Sequence, residues 1–531
     1  MFDLLIKNAT VYDGSGAPNY VSDVAVTGGK IAAIGKDPGE AKEVLDAEGL
    51  ALAPGFIDSH SHANSSIFFD PNRDHVLRMG VTTEVSGQCG TSIAPLPVKE
   101  NPEKCKSVIG IAGEGISGFE TVREELEAVN RLKLGLNHIY YTGHTAIRYN
   151  AMGLENRHAN NEDIAKMQAL LEEGMQAGSL GFSTGLSYVP GIYSETKELI
   201  EIAKVAAKYG GLYVSHSRSE SAGLFKAVQE CIDIAREADI PVQISHLKVV
   251  GKTFWPRCDE MLGMIDAANR QGLKVTMDAY PYIAVSTTTT SAIPARFLDQ
   301  GRPAFAKMLE NPAIVEEIRR EIFEIDDPSW DNSALHVGLE NFLIVGADKT
   351  PDAVGMTYAE YGAAHGMTPF EAMIRLLHDN EGTVRDVRFA MSEENLEKIL
   401  AHPLCTVGSD GIYVHGRDVL AHPRAFGSFP RFLGRYVRDR GIMSREEGIH
   451  RITGLPATRF GITGKGFILP GMDADLVLFD YDSIIDQADF KDCFRPNLGI
   501  HRVYIDGQLV LKDNEPTGIR NGRHLLRCNA R

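Results

Sequence analysis

The sequence predicts an α/β protein: a TIM-like (β/α)8 barrel that carries a small β-sandwich built from both chain ends and an insertion within the barrel. Three observations lead to this class. Eight apolar runs with strand character alternate with helical patterns through the middle of the chain, which calls for a parallel sheet covered by helices. Short strands separated by turn residues lie at both ends, outside that alternation. The interval between the seventh and eighth runs is too long for one crossover. The chain has 531 residues, a length that suits roughly three to four average domains, yet a single barrel with insertions absorbs well over about 250 residues.

At the N-terminus, Asp3–Lys7, Thr10–Tyr12, Ser22–Thr27 and Lys30–Ile34 read as strands, with Gly28-Gly29 as a tight hairpin. Their counterparts are Ala474–Phe479, His501–Ile505 and Gln508–Lys512, the last two joined by Asp506-Gly507, a type I′ hairpin signal. Residues 1–54 and 466–531 are therefore expected to share the sandwich, and 55–465 to form the barrel.

The eight barrel runs are Phe56–His62, Thr82–Cys89, Leu136–Thr142, Leu180–Ser183, Leu212–His216, Val242–His246, Val275–Tyr280 and Leu404–Asp410. Helices between them carry stop signals, as in Asn161–Gln176 before Gly178, Lys197–Tyr209 before Gly210 and Cys258–Asn269 before Gly272. The insertion is expected at about 286–345, with a helix over Ile314–Phe323 and a loop at Asp326-Asp327-Pro328-Ser329-Trp330 placed to act as a lid. Pro369–His378 and Ser392–Ala401 then read as helices on the barrel.

A net charge of −17 and a pI near 5.5 argue against nucleic acid or an anionic membrane as a partner, since either demands a basic face. Met1–Asn8 has neither a basic n-region nor a long apolar run, and no stretch approaches a membrane span. The seven cysteines are scattered, odd in number and without CxxC spacing, so they read as reduced thiols of a soluble cytoplasmic protein.

The chemistry centres on Pro54-Gly55-Phe56-Ile57-Asp58-Ser59-His60-Ser61-His62-Ala63-Asn64. An apolar strand ends in two histidines two residues apart, and strand alternation puts both imidazoles on one side. Cys89, His216, His246 and Asp410 likewise end the second, fifth, sixth and eighth runs. Each alone has an ordinary alternative as a small buried thiol, a core histidine or a turn aspartate. Together they meet at the C-terminal rim of a barrel, where active sites lie. Imidazoles, a thiolate and a carboxylate suit zinc. Lys248, two residues past His246, falls on the same side of its strand, where a cation would receive the carboxylate of a small anionic substrate.

These motifs resemble the amidohydrolase superfamily and, within it, the N-acyl-D-amino-acid deacylases. The resemblance runs nearly end to end, through Gly55–His62, Gly87-Gln88-Cys89-Gly90, Gly143–Arg148, Gly181–Leu186, Ser215–Glu220, Ser245-His246-Leu247-Lys248, Asp278–Tyr282, Gly408–Gly411 and Pro470–Asp475. It implies that Cys89, His216 and His246 hold a tight zinc, that His60, His62 and Asp410 surround a second, weaker metal position, and that Lys248, Tyr282 and Ser286 receive the substrate carboxylate. The implied activity is zinc-dependent hydrolysis of N-acyl-D-amino acids, with Asp410 as the proton carrier. The D configuration comes from the resemblance alone.

Cyclic-amide hydrolases of the superfamily bridge two metals with a carboxylated lysine at the end of strand 4. No lysine lies between Lys166 and Lys197 here, which disfavours that alternative. A barrel serving only as a scaffold is disfavoured by the full set of donors. Gly181-Phe182-Ser183-Thr184-Gly185 fits GxSxG, but Tyr188-Val189-Pro190-Gly191 follows where a nucleophile elbow needs a helix. Gly251-Lys252-Thr253 lacks the earlier glycine of a phosphate loop, because that position is His246.

Overall fold

All eight apolar runs carry strands that pair in parallel. The computed structural model describes residues 1–109, 116–412 and 420–526; Cys528 lies outside them. Phe56–Asp58, Val81–Ser86 and Asn137–Tyr140 form a three-stranded sheet. A six-stranded sheet runs, in spatial order, through Thr142–Gly143, Gly181–Gly185, Leu212–His216, Val242–Ile244, Val275–Ala279 and Cys405–Val407. The third run is shared between the two sheets. Tyr141 N–H donates to Ser86 O (3.0 Å), and Leu180 N–H donates to Tyr140 O (2.7 Å). Across the opposite seam, Asp410 N–H donates to His60 O (2.8 Å) and His62 N–H to Gly411 O (3.1 Å).

These strands are apolar without alternation because both faces are covered, as Leu212–His216, buried at every position, illustrates. Asn161–Ala177 begins at a capping box, where Asn160 accepts from Glu162 N–H and Asp163 N–H, and ends at Gly178. Its Met167 and Leu171 join the main core with Phe182, Ile244 and Met277.

At the N-terminal ends of the parallel strands, the sheet built from both chain ends docks through buried charge. Lys465 Nζ reaches Asp475 Oδ2 (2.7 Å) and Asp473 Oδ2 (3.0 Å), and Asn137 Nδ2 donates to Asp475 Oδ2 (2.9 Å). Nearby, the buried His138 lies ring to ring with His524 at 5.7 Å.

Both chain ends build one nine-stranded sheet, joined where Leu476–Phe479 pairs with Ala51–Pro54. The predicted strands Asp3–Lys7 and Thr10–Tyr12 prove to be one strand, Phe2–Val11. A register shift between Ile6 and Ala9, with Asn8 at φ 56°, absorbs the turn-like residues as a bulge. Gly28-Gly29 and Asp506-Gly507 close hairpins as expected. Beyond Lys30, the edge strand meets the segment leading into Leu476: Ile31 N–H donates to Met472 O (2.9 Å) and Ala474 N–H to Gly29 O (2.8 Å).

Between the last two parallel strands, Val285–Thr288, Arg385–Arg388 and Phe342–Gly346 form an antiparallel sheet. It shares a separate core with several helices, including Pro312–Phe323 and Pro369–Asp379. Here the structure corrects the sequence reading. The helix expected on the barrel at Pro369–His378 spans Pro369–Asp379, but its Met373, Leu376 and Leu377 pack with Phe305, Ile318 and Tyr358. Helical periodicity shows that a face is buried and not which core buries it. Only Glu393–Ala401 joins the main core, through Leu396, Ile399 and Leu400. Among the described residues, no helix is long and apolar enough to cross a membrane.

Candidate metal centre

The six residues singled out at the strand ends converge. His216 is the last residue of its strand, while His60, His62, Cys89, His246 and Asp410 lie two to four residues beyond theirs. The chain turns abruptly there. Cys89 (φ 53°), His246 (φ 36°) and Asp410 (φ 49°) all occupy the left-handed region, a conformation that costs a non-glycine residue about 1–3 kcal/mol and collects at functional sites. The turns swing these side chains inward.

Two sets of donor atoms result, each with its members within 4.8 Å of one another: His60, His62, Cys89 and Asp410, and Cys89, His216 and His246. Cys89 belongs to both. Its Sγ lies 3.4 Å from His60 Nε2 and 3.3 Å from His246 Nε2. His216 Nδ1 is 2.8 Å from His246 Nε2, and His62 Nε2 is 2.9 Å from Asp410 Oδ1. Burial opposes ionisation of Cys89, but the imidazoles of His246 and His60 outweigh it and hold the thiol well below its ordinary range. Burial likewise opposes ionisation of Asp410, and Arg424, His60 and His62 reverse that effect. Arg424 Nη1 sits 2.6 Å from Asp410 Oδ2.

A ring of polar residues orients these donors. His60 Nδ1 is 3.1 Å from Asp278 Oδ1, which also accepts His246 N–H (2.8 Å). Ser187 Oγ lies 2.7 Å from His216 Nε2. His246 Nδ1 lies 3.0 Å from Glu220 Oε1 and 2.7 Å from Lys248 Nζ. Burial raises the Glu220 carboxyl, yet Lys248 and His246 carry it far below the usual carboxylate range.

A cavity opens over the donors, lined by residues of the parallel strands and of the insertion. Ser286 and Lys248 line it, as the sequence suggested, but the Lys248 ammonium is already held by Glu220 Oε1 at 2.6 Å. Tyr282 does not reach it. Its hydroxyl donates to Asp486 Oδ2 (3.0 Å), and the Arg431 guanidinium covers its ring. The strand ends at Ala279, and Tyr282 N–H bonds back to Tyr280 O (2.9 Å). Strand alternation has lapsed by then, and Tyr280 lines the cavity instead.

Sequence reasoning also passed over Asp278, Glu220, Asp331, Arg302, Arg388 and Arg424. Asp278 had a signal, since a carboxylate inside the apolar Val275–Ala279 must find partners. Arg424 is paired with Asp410 and Arg388 with Asp386 (2.7 Å). Arg302 lines the cavity without an acidic partner among the described residues.

Parallel strands that end in clustered imidazole, thiolate and carboxylate donors define a class of metal-dependent hydrolases. The chain belongs to the amidohydrolase family, whose model matches residues 43–309 and 355–511. Among its relatives, an N-acyl-D-aspartate deacylase of Alcaligenes xylosoxydans is 34% identical over 99% of this chain and 95% of its own. A D-aminoacylase of the same organism is 34% identical over 100% and 98%. A zinc- and phosphonate-bound N-acyl-D-glutamate deacylase from Bordetella bronchiseptica superposes with a TM-score of 0.84 at 31% identity, covering 99% of this chain and all of the other. An L-hydantoinase from Arthrobacter aurescens, at 17% identity and a TM-score of 0.57 over 99% of this chain and all of the other, shares the fold alone.

Proposed function

We propose that this protein hydrolyses the amide bond of N-acyl-D-amino acids, releasing a carboxylate and a free D-amino acid. The observation that carries the reading is a single cavity holding both the clustered donors and Arg302, which has no acidic partner among the described residues. A linear amide with a free carboxylate needs both features. The strand Gly181–Gly185 presents no lysine to be carboxylated, which favours linear over cyclic amides. The D preference rests on the deacylase relatives.

The donor set fits zinc, because a thiol held ionised beside imidazoles is a soft, anionic ligand environment. Cys89, His216 and His246 would hold the tight ion. His60, His62 and Asp410 would surround a weaker position that shares Cys89, consistent with the binuclear centre described for D-aminoacylase. Zinc in such a site supplies Lewis acidity, which eases the ionisation of water and polarises an acyl carbonyl. Asp410 Oδ1 accepts the proton from water and passes it to the departing amine, while Arg424 keeps the other oxygen oriented and the group ionised. Arg302 and Ser286, both in the cavity wall, receive the substrate carboxylate.

We further infer that the two parallel sheets close into one (β/α)8 barrel along the seams at Tyr140–Tyr141 and at His60–His62 with Asp410–Gly411. The nine-stranded sheet curls into a sandwich where Ile31 meets Met472. The units are then 1–54 with 466–531, and 55–465, with the insertion drawn over 285–388 in place of about 286–345. The six described cysteines are unpaired, which supports a cytoplasmic setting.

Assaying zinc-loaded protein against N-acetyl and N-formyl D- and L-amino acids tests the activity, and turnover of cyclic amides alone overturns it. Arg302→Met should raise KM for N-acyl-amino acids, with a cost of about 1.5–3 kcal/mol for a lost charged hydrogen bond. It should spare zinc content and leave the corresponding amino amides unaffected; equal harm to both substrates rejects Arg302 as the carboxylate site.

A further inference from the structure

We propose that Asp331, contributed by the insertion, is a positioning residue for His246, acting through the loop that carries Glu220. The inference rests on the metal reading above. Asp331 is 110 residues along the chain from Ser221, yet its carboxylate gathers the whole turn after the strand Leu212–His216. Oδ1 accepts from Ser219 Oγ (2.7 Å), Ser221 Oγ (2.7 Å), Glu220 N–H (2.9 Å) and Ser221 N–H (3.2 Å). Oδ2 accepts from Glu220 N–H as well (2.9 Å). Every partner is a donor, so both oxygens must be acceptors. A carboxylate meets that demand, and an amide, with one end a donor, does not.

The turn so held is the one that aims Glu220. Its carbonyl oxygen accepts Val250 N–H (2.8 Å) from the main fold, and its N–H is held by Asp331 from the insertion. Between these two anchors the side chain extends to Lys248 Nζ and to His246 Nδ1, the nitrogen facing away from Cys89. Partners on the second nitrogen set the tautomer and ring direction of a ligating histidine. The same insertion segment also packs at Gly223, where a Cβ would collide with Pro328 O. The segment expected to be a lid is therefore fastened at this point, and what it fastens is the support of a candidate ligand.

Zinc affinity of the full-length protein, measured by chelator competition alongside Tm, tests the inference. Asp331→Ala should weaken zinc binding about 10–100-fold, and Asp331→Asn should fall between it and wild type. Gly223→Ala, which disturbs the same joint without removing a hydrogen-bonding group, should act in the same direction if Asp331→Ala folds poorly. Glu220→Gln should weaken zinc comparably, and the Asp331→Ala/Glu220→Gln double variant should be little worse than either single one. A lower Tm with unchanged zinc affinity, or losses that add in the double variant, assigns Asp331 a merely structural role and overturns the inference. A wild type that binds no zinc overturns the metal reading itself, a result distinct from variants that bind as tightly as a zinc-binding wild type.

Discussion

The two ends of the parallel strands both bury ionisable groups, but they use them in opposite ways. At the N-terminal ends, Lys465 is enclosed by Asp473 and Asp475, Asn137 completes the arrangement, and these partners lie outside the cavity wall. At the C-terminal ends, four imidazoles, a thiol and a carboxylate crowd together beside a cavity, with Cys89, His246 and Asp410 on left-handed backbone. Charge at one end is neutralised within the fold, whereas at the other it is concentrated and left facing a space. The first arrangement fastens two parts of the chain, and the second stores donor capacity for something that enters.

The largest effect that would sharpen this contrast is expected from Cys89→Ala. Cys89 belongs to both donor sets, so the variant should lose most of its zinc and with it essentially all turnover. Zinc content equal to wild type by elemental analysis would break the assignment of the tight site. Asp410→Asn comes next. It should retain the tight zinc but lose turnover at least ~10²-fold, because an amide cannot carry the proton; near-normal kcat would place proton transfer elsewhere.

At the opposite end the effect should be on stability alone. Lys465→Met leaves the buried Asp475 without its cation, while Asp473 keeps Lys30 and Arg523; the loss should cost about 3–5 kcal/mol, with kcat per folded molecule unchanged. A loss of kcat without loss of Tm would erase the distinction between the two ends. The smallest effect concerns acid. Burial pushes His138 and His524 down to about 3 from an ordinary value of 6.5. Between those values the unfolded chain binds protons that the folded one refuses, so their contribution is intact above about pH 6.5 and fades as the pH falls toward about 3. His524→Leu should leave Tm near wild type at neutral pH and soften its acid decline. An identical decline in both proteins would show that other groups govern it.

The donors were legible in the sequence because each sits at the end of an apolar run, where a single residue type carries the chemistry. The parallel strands were legible for the same reason, as uninterrupted apolar stretches. The cavity wall was not. Arg302 and Arg388 lie in the insertion, and nothing local to them indicates that the chain returns to the strand ends. Arg385–Arg388 has one apolar residue in four and becomes a strand by pairing on one side with Phe342–Gly346 and on the other with Val285–Thr288, the latter across about a hundred positions. Tyr282 was implied by the family resemblance, and its hydroxyl turns to Asp486 because the chain has left the strand at Ala279. Lys248 lies where the pattern put it, and its partner Glu220 comes from a different loop.

The left-handed backbone at Cys89, His246 and Asp410 bears on how this protein would respond to selection. Glycine adopts that conformation without strain, so a change such as Cys89→Gly discards a donor and relaxes the chain in one step. A library screened for heat tolerance alone would be drawn toward such sequences, which gain robustness where the catalyst is lost. Improvement of this protein therefore has to be selected on turnover and temperature together.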